Sequence, residues 1–415
     1  MIAQETLQAL DYRKILERIA GFAHSDATRE EILRLAPLGS LDDIRRRSGR
    51  IEELRTLSRL GVGVRLSPFQ DIRPLLELLR PEGGMADPAE LTLLPPFLRI
   101  LHDLSRRLAP RTDIPLLKEA GEVRSFPDLL DELEVTLDAE GNILDAASPL
   151  LFELRSRKRT MVSRIRRRLE EIVREKQVAI FLQDDFITQR GGRWVIPVRM
   201  DSKGMVSGVV HDVSNSGETA FMEPLEIIPL ANELENLAAE EKGEMIRIVR
   251  EICRMVRRDA DLIEEQFRLL VHIDLLHSVA LLGDLLHAEV PVVSDTPELA
   301  VVQGRHPLLL LLAAGRSEPV VPLDLVMRQE EGVMVITGPN AGGKTIALKT
   351  SGLLLLMALS GFPVPASSTS VFPLASQLLV DIGDEQSIEQ SLSTFSAHVS
   401  NMSGILRSAD TRSLV

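Results

Sequence analysis

The chain has 415 residues with 48 Lys and Arg against 61 Asp and Glu, a formal net charge of −13; this excludes a protein that coats nucleic acid through global charge, so any such contact must be local. A single cysteine, Cys253, excludes an intramolecular disulfide and any Cys-rich zinc or iron–sulfur site, in keeping with a reducing, cytoplasmic setting. The acidic start, residues 1–5, lacks a secretory pattern, and the long uncharged stretch 350–380 is interrupted by Gly361, Pro363, Pro365 and Pro373, so no membrane span is expected.

At roughly 150 residues per domain the length allows about two to four domains. Residues 1–145 read as a helical domain: Leu7, Leu10, Ile15 and Ile19 recur at helical spacing, with breaks at Pro37, Pro68, Pro81 and the pair Pro95-Pro96. Residues 146–182 read as one long lever helix, in which Met161, Ile165, Leu169 and Ile172 step by three or four. Residues 183–224 change texture to short β-rich runs separated by Gly, Ser and Asn, a small antiparallel clamp-like module. A second helical stretch, 225–290, resumes the three-or-four step through Met245, Ile248, Ile252 and Met255, then Ile263, Phe267 and Leu270. Two long helices flanking a β module suggest a stalk with a tip.

From residue 291 an α/β domain is expected, so the fold class is multidomain α plus α/β. The apolar run Val333, Met334, Val335, Ile336, Thr337 has the length of a strand buried on both faces of a mainly parallel sheet. It leads into Gly338-Pro339-Asn340-Ala341-Gly342-Gly343-Lys344-Thr345 and then a helix-forming run to Leu359. The spacing GxxxxGK[ST] between strand and helix is that of a P-loop. Its glycines let backbone N–H groups wrap a phosphate, and the helix presents its positive end to the same anion. Lys344 is expected to reach the β- and γ-phosphates, and the Thr345 hydroxyl to ligate Mg²⁺, making ATP or GTP binding the firmest expectation. The bland alternative is a chance glycine-rich turn. Further on, residues 378–381 read as a strand, and Ser393 or Thr394 as the N-cap of another helix; hydroxyls there can meet phosphate, although capping alone explains them equally well.

Between residues 151 and 176 ten basic side chains (Arg155, Arg157, Lys158, Arg159, Arg164, Arg166, Arg167, Arg168, Arg174, Lys176) face four acids. A solvated helix face and a phosphate-tracking stripe both explain this excess. In the β module Arg190, Arg193, Arg199 and Lys203 are candidate contacts to a nucleic-acid backbone, and Trp194 either stacks on a base or fills the module's core. His211, His272, His277 and His287 show no ligand spacing and read as structural.

The loop with its internal Pro339-Asn340 and doubled Gly342-Gly343, the preceding Arg305-His306-Pro307 and the Ser393-Thr394-Phe395 run resemble the ATPase of the MutS family, a branch of the ABC-type ATPases. The wording Asp381-Ile382-Gly383-Asp384-Glu385-Gln386-Ser387, continuing to Ser396, resembles the second bacterial branch ("MutS-two") more closely than the mismatch-repair proteins. Arg193-Trp194-Val195-Ile196-Pro197-Val198, residues 208–219 and Glu223-Pro224 are similar to that branch's clamp. The resemblance covers essentially the whole chain.

It implies a homodimer in which ATPase domains meet head to tail, with ATP and Mg²⁺ as cofactors. Ser393, with Thr394 and Phe395 in the signature loop, would act in trans on the partner's γ-phosphate, and Asn340 would help place the attacking water or the phosphate within its own P-loop. It implies a clamp on nucleic acid, either branched DNA in the suppression of homologous recombination or ribosomal RNA in the rescue of stalled, collided ribosomes. That branch has no mismatch-sensing domain, and Phe221-Met222-Glu223, which matches the wedge motif by its letters, lies in the presumed clamp.

One departure matters. The family's paired acids (Walker B) are expected in a strand beginning around Ser413-Leu414-Val415, where this sequence stops, and a switch histidine and nuclease domain would follow. The reading is therefore the N-terminal portion of a longer protein, in which the catalytic set is incomplete: nucleotide binding is expected of this chain, hydrolysis and nuclease action of a full-length one. Alternatives are a nucleotide-binding but hydrolytically inactive fragment, or another ABC-type ATPase, against which the β-rich tip and the Ser-Thr-Phe run argue.

Overall fold

The computed structural model describes residues 2–313, 319–328, 330–339, 342–382 and 391–415, the side chains of 391–398 excepted. The first third is helical, as its periodicity requires: α1 (Gln4–Ala9), α2 (Tyr12–Ala20), α3 (Asp26–Leu33), α4 (Leu41–Arg59), α5 (Arg73–Leu79), α6 (Pro88–Leu91), α7 (Leu94–Leu108), α8 (Pro115–Glu119) and α9 (Pro127–Thr136). Polar caps set several starts. The Ser25 hydroxyl accepts the N–H of Thr28 at 3.1 Å, and Asp87 and Glu90 form a reciprocal capping box on α6.

The chain divides into two compact units, one made of Met1–Ile72, Pro96–Phe126 and Asp261–Val415, the other of Arg73–Pro95 and Pro127–Ala260. In the second unit α10 (Pro149–Arg174) and α12 (Ile228–Arg258) form an antiparallel pair, with the short α11 (Lys176–Ala179) after α10. Ser148 opens α10 by accepting the N–H of Leu151 at 3.0 Å, with Pro149 at the first helical position, where its missing N–H costs nothing. At about 1.5 Å per residue the two helices are about 39 and 46 Å long.

Between the helices lies a β module of four antiparallel strands, β1 (Thr188–Arg190), β2 (Arg193–Arg199), β3 (Gly208–Val213) and β4 (Thr219–Pro224), in the order β1-β2-β4-β3. Gly191 and Gly192, at φ 54° and 82°, make the two-residue turn that joins β1 to β2; two successive left-handed residues match the twist of a tight hairpin. The seam of α10 (Leu154, Met161, Ile165, Leu169, Ile172) runs without interruption into Ile196, Val198, Ala220 and Met222 of the module and Ala231 and Leu237 of α12. Levers and module thus share one core.

The second lever stops earlier than its apolar period suggests. The expected stretch from 225 to 290 is two helices, α12 and α13 (Ala260–Leu285), separated at Asp259 (φ −107°, ψ 11°). The Asp259 N–H turns back to Val256 O in a tighter i→i−3 bond, and Asp is a poor interior helix former whose short carboxylate competes for the backbone.

A buried carboxylate fastens α12 to the start of α10. Arg247 donates to both oxygens of Glu244 at 2.8 Å, and the Ser148 hydroxyl donates to Oε1 at 2.7 Å. These donors, Arg247 first, hold the Glu244 carboxyl down at about 2, below the usual 4.5. A depressed acid contributes stability that is complete above its unfolded pKa and is lost as pH falls through its folded one. Acid should therefore lower the melting midpoint between about pH 4.5 and pH 2, and E244Q should flatten that part of the profile. Thermal melts of both proteins across this window check it; parallel slopes would assign the acid sensitivity elsewhere.

In the first unit α13 packs among the N-terminal helices, with Phe267 in ring contact with Phe69 and Phe97. Then follow β5 (Val292–Ser294), β6 (Leu299–Gly304), α14 (Pro307–Ala313), β7 (Leu323–Met327), α15 (Lys344–Leu359), β8 (Val371–Pro373), β9 (Gln377–Leu378), α16 (Ser391–Ser408) and β10 (Ser413–Leu414). One mixed sheet has the order β5-β8-β6-β7; a second is the parallel pair β9 and β10, connected through α16. The 353–359 run that is densest in leucine is buried in α15 against the N-terminal helices. Tyr12 Oη and Ser360 Oγ lie 2.6 Å apart there, and Lys349 pairs with Asp11 at 3.3 Å. No helix among the described residues is long and apolar enough to cross a membrane.

Residues 333–337 correct an expectation. They form no strand and are exposed, Val333 to 81% and Val335 to 78%. An apolar run becomes a strand only when a neighbour supplies its hydrogen bonds. The strands described in this part of the chain pair with one another instead, and β9 includes only Leu378 of the strand expected over 378–381.

Candidate nucleotide loop and nucleic-acid clamp

The loop before α15 is built by glycine. Gly343 is the N-cap of α15 at φ 80°, ψ 9°, a left-handed conformation that a side chain would strain. Gly342 donates its N–H to Pro339 O at 2.9 Å, closing a turn, and the Ala347 N–H bonds Gly343 O as the helix begins. Lys344 is the first residue of α15, and its Nζ donates to Gly338 O at 2.7 Å and Pro339 O at 2.8 Å. Thr345 is exposed beside it. Asn340 and Ala341 lie outside the described residues.

This donor set fits a nucleotide's phosphates. A 16-residue helix offers its positive end, the ammonium's partners among the described residues are two neutral carbonyls that an anion can replace, and the hydroxyl is accessible for a divalent ion. Arg305, His306 and Pro307 join β6 to α14; His306 is buried, and burial holds its imidazole below its usual range. Ser393, Thr394 and Phe395 fall within the first turns of α16, which starts at Ser391, so neither hydroxyl residue is the cap. Their side chains lie outside the description.

In the β module the four cations separate into two groups. Arg193 is turned toward α12, donating to Asn232 Oδ1 and Glu235 Oε2 at 2.9 Å each and lying 3.6 Å from the buried Glu223. Glu223 also meets His211 Nε2 at 2.7 Å, so β2, β3 and β4 are stitched by one buried acid, a role that nothing in its sequence neighbourhood announced. Arg190 lies over the Phe221 ring at 4.6 Å and 3.7 Å from Asp212. Arg199 reaches only Asp201 and Ser202, at 3.4 Å, and Lys203 is exposed. Arg190, Arg199 and Lys203 therefore remain open to solvent, and Arg193 is structural mortar. Trp194 packs against the shared core.

Of the ten bases on α10 and α11, seven carry acidic partners. Arg155 and Lys158 converge on Glu241 of α12, Arg159 joins Arg155 at Asp145, Arg168 reaches Glu226, and Arg157, Arg166 and Arg167 pair along the helix. Arg164, Arg174 and Lys176 have no ion pair among the described residues. Three of the ten, Arg155, Lys158 and Arg168, thus tie α10 to α12 or to Glu226 just before it, and the other four pairs lie along α10 or at its start.

Residues 334–415, which include this loop, match the family described as MutS domain V. Across 99% of its length the chain is 36% identical to the putative endonuclease MutS2 of Bacillus subtilis and to the endonuclease MutS2 of Pelotomaculum thermopropionicum, covering 52% of each. It is 34% identical to that of Aquifex aeolicus, covering 53%. The chain spans about half the length of the curated relatives it matches. Since the similarity runs through helices, β module and loop alike, the chain belongs to the MutS2 branch of the MutS family.

Proposed function

We propose that this chain binds ATP with Mg²⁺ at residues 338–345 and clamps branched DNA through its β module, as part of a dimeric MutS-type ATPase. The observation that carries the reading is the glycine-capped start of α15, with Lys344 and Thr345 accessible at its positive end. Thr345 would ligate Mg²⁺, and Ser393 of one copy would face the nucleotide of the other. Hydrolysis and nuclease action are assigned to the full-length protein; the relatives' printed name, endonuclease, supports a nucleic-acid target. Suppression of recombination is the role this target would serve, with ribosomal RNA on a stalled ribosome as the competing one.

Titration of a four-way DNA junction, a linear duplex and a ribosomal RNA hairpin, each with and without ATP and Mg²⁺, separates these. The junction should bind tightest, and ATP should change its affinity. Tighter binding of the hairpin would move the target to the ribosome, and equal, ATP-independent binding of all three would sink the clamp reading. The triple variant R190A/R199A/K203A should reduce the slope of log affinity against log salt by about 2–3, one cation per phosphate. R193A should instead loosen the module, because its partners lie within the protein.

A further inference from the structure

Where α2 hands over to α3, His24 is brought against the middle of α13. Its backbone N–H donates to Asp274 Oδ2 at 2.9 Å, and its ring Nδ1 lies 2.8 Å from Oδ1. Both oxygens of a carboxylate with 0% side-chain exposure are thus met by one residue, 250 positions away in sequence. Burying such a charge is costly unless it is compensated, and a single imidazole is a modest compensation.

Three residues further along α13 stands His277, on the same helix face as Asp274. Its Nδ1 is buried and has no hydrogen-bond partner among the described residues, and its ring centroid is 6.1 Å from that of His24. One ligand-capable atom from each of His24, Asp274 and His277 lies within 4.8 Å of the others. All three belong to the same compact unit.

We propose that His24, Asp274 and His277 form a binding site for a divalent transition-metal ion, best suited to Zn²⁺, which fastens the junction of α2 and α3 to α13. Two imidazoles and one carboxylate are ligands for this class, whereas Mg²⁺ and Ca²⁺ favour oxygen alone. With ligand bonds of about 2.0–2.2 Å, tetrahedral ligand atoms stand about 3.3 Å apart. The His24–Asp274 pair, at 2.8 Å, must spread slightly, and His277, within 4.8 Å, must close in, which it can do by turning inward without breaking a bond at Nδ1. On binding, the proton shared between His24 Nδ1 and Asp274 Oδ1 leaves to solvent, and both atoms donate lone pairs to the ion. Asp274 Oδ2 keeps the His24 backbone N–H, which fixes the carboxylate's orientation. A water completes the coordination.

The test uses the whole chain, stripped with a chelator and dialysed against Zn²⁺ without nucleotide, with bound metal measured by atomic emission. About one Zn²⁺ per chain should be retained, and H277A and H24A should lose it. Zn²⁺ should raise the melting midpoint of the parent above its own metal-free value, but should leave that of H277A where its metal-free value stands. Co²⁺ added to the unsubstituted chain should give the visible bands of a nitrogen-ligated, low-coordinate ion. Zn²⁺ retention equal in H277A would assign the metal to other groups, and absence of retained Zn²⁺ or of the Co²⁺ bands would overturn the proposal.

Discussion

Replacing Lys344 by Ala should weaken ATP binding about 30- to 150-fold while leaving the melting midpoint unchanged. A charge-assisted contact to phosphate contributes about 2–3 kcal/mol, which gives that range in Kd. The ammonium donates to the carbonyls of Gly338 and Pro339 at a partly exposed position, so its removal takes little from the fold. K344R should rescue poorly, because a planar guanidinium cannot occupy the place of a compact ammonium inside a glycine-walled loop. Titration calorimetry with ATP and Mg²⁺ reads all three proteins. An unimpaired K344A would place the nucleotide elsewhere.

What was legible in the sequence was what is local. The left-handed cap at Gly343 and the helix it opens follow from a handful of adjacent residues, as do the hairpin at Gly191 and Gly192 and the apolar seam of α10. What could not be read depends on partners far along the chain. Residues 333–337 have a strand's composition, but a strand is a relation between segments, and its neighbours here pair with each other.

The stripe on α10 looked equally suited to phosphate because Glu241 and Glu226, which neutralise Arg155 and Arg168, lie 86 and 58 positions away. Arg193 had the composition of a nucleic-acid contact, yet Asn232 and Glu235, 39 and 42 positions on, claim it. The end of α12 at Asp259 carries neither Pro nor Gly to announce it. His277 read as structural for the same reason: its neighbour His24 belongs to the other end of the chain.

The shared core of levers and module leads to the second large effect. L169A should destabilise the unit formed by Arg73–Pro95 and Pro127–Ala260 by about 2–5 kcal/mol, the cost of a cavity where a leucine is fully buried. R166A, one turn away, removes an exposed pair 3.6 Å from Glu170 and should cost about 0–0.5 kcal/mol. Trp194, the chain's one tryptophan, packs against the same core, so denaturant unfolding followed by its fluorescence reports on this unit. Because Leu169 and the module's Ile196, Val198 and Met222 lie in one cluster, the loss should also reach the β module and weaken the DNA binding proposed for it. ATP affinity should persist, since the loop at Lys344 belongs to the other unit. A midpoint for L169A no lower than that of R166A would mean that levers and module do not depend on their common core.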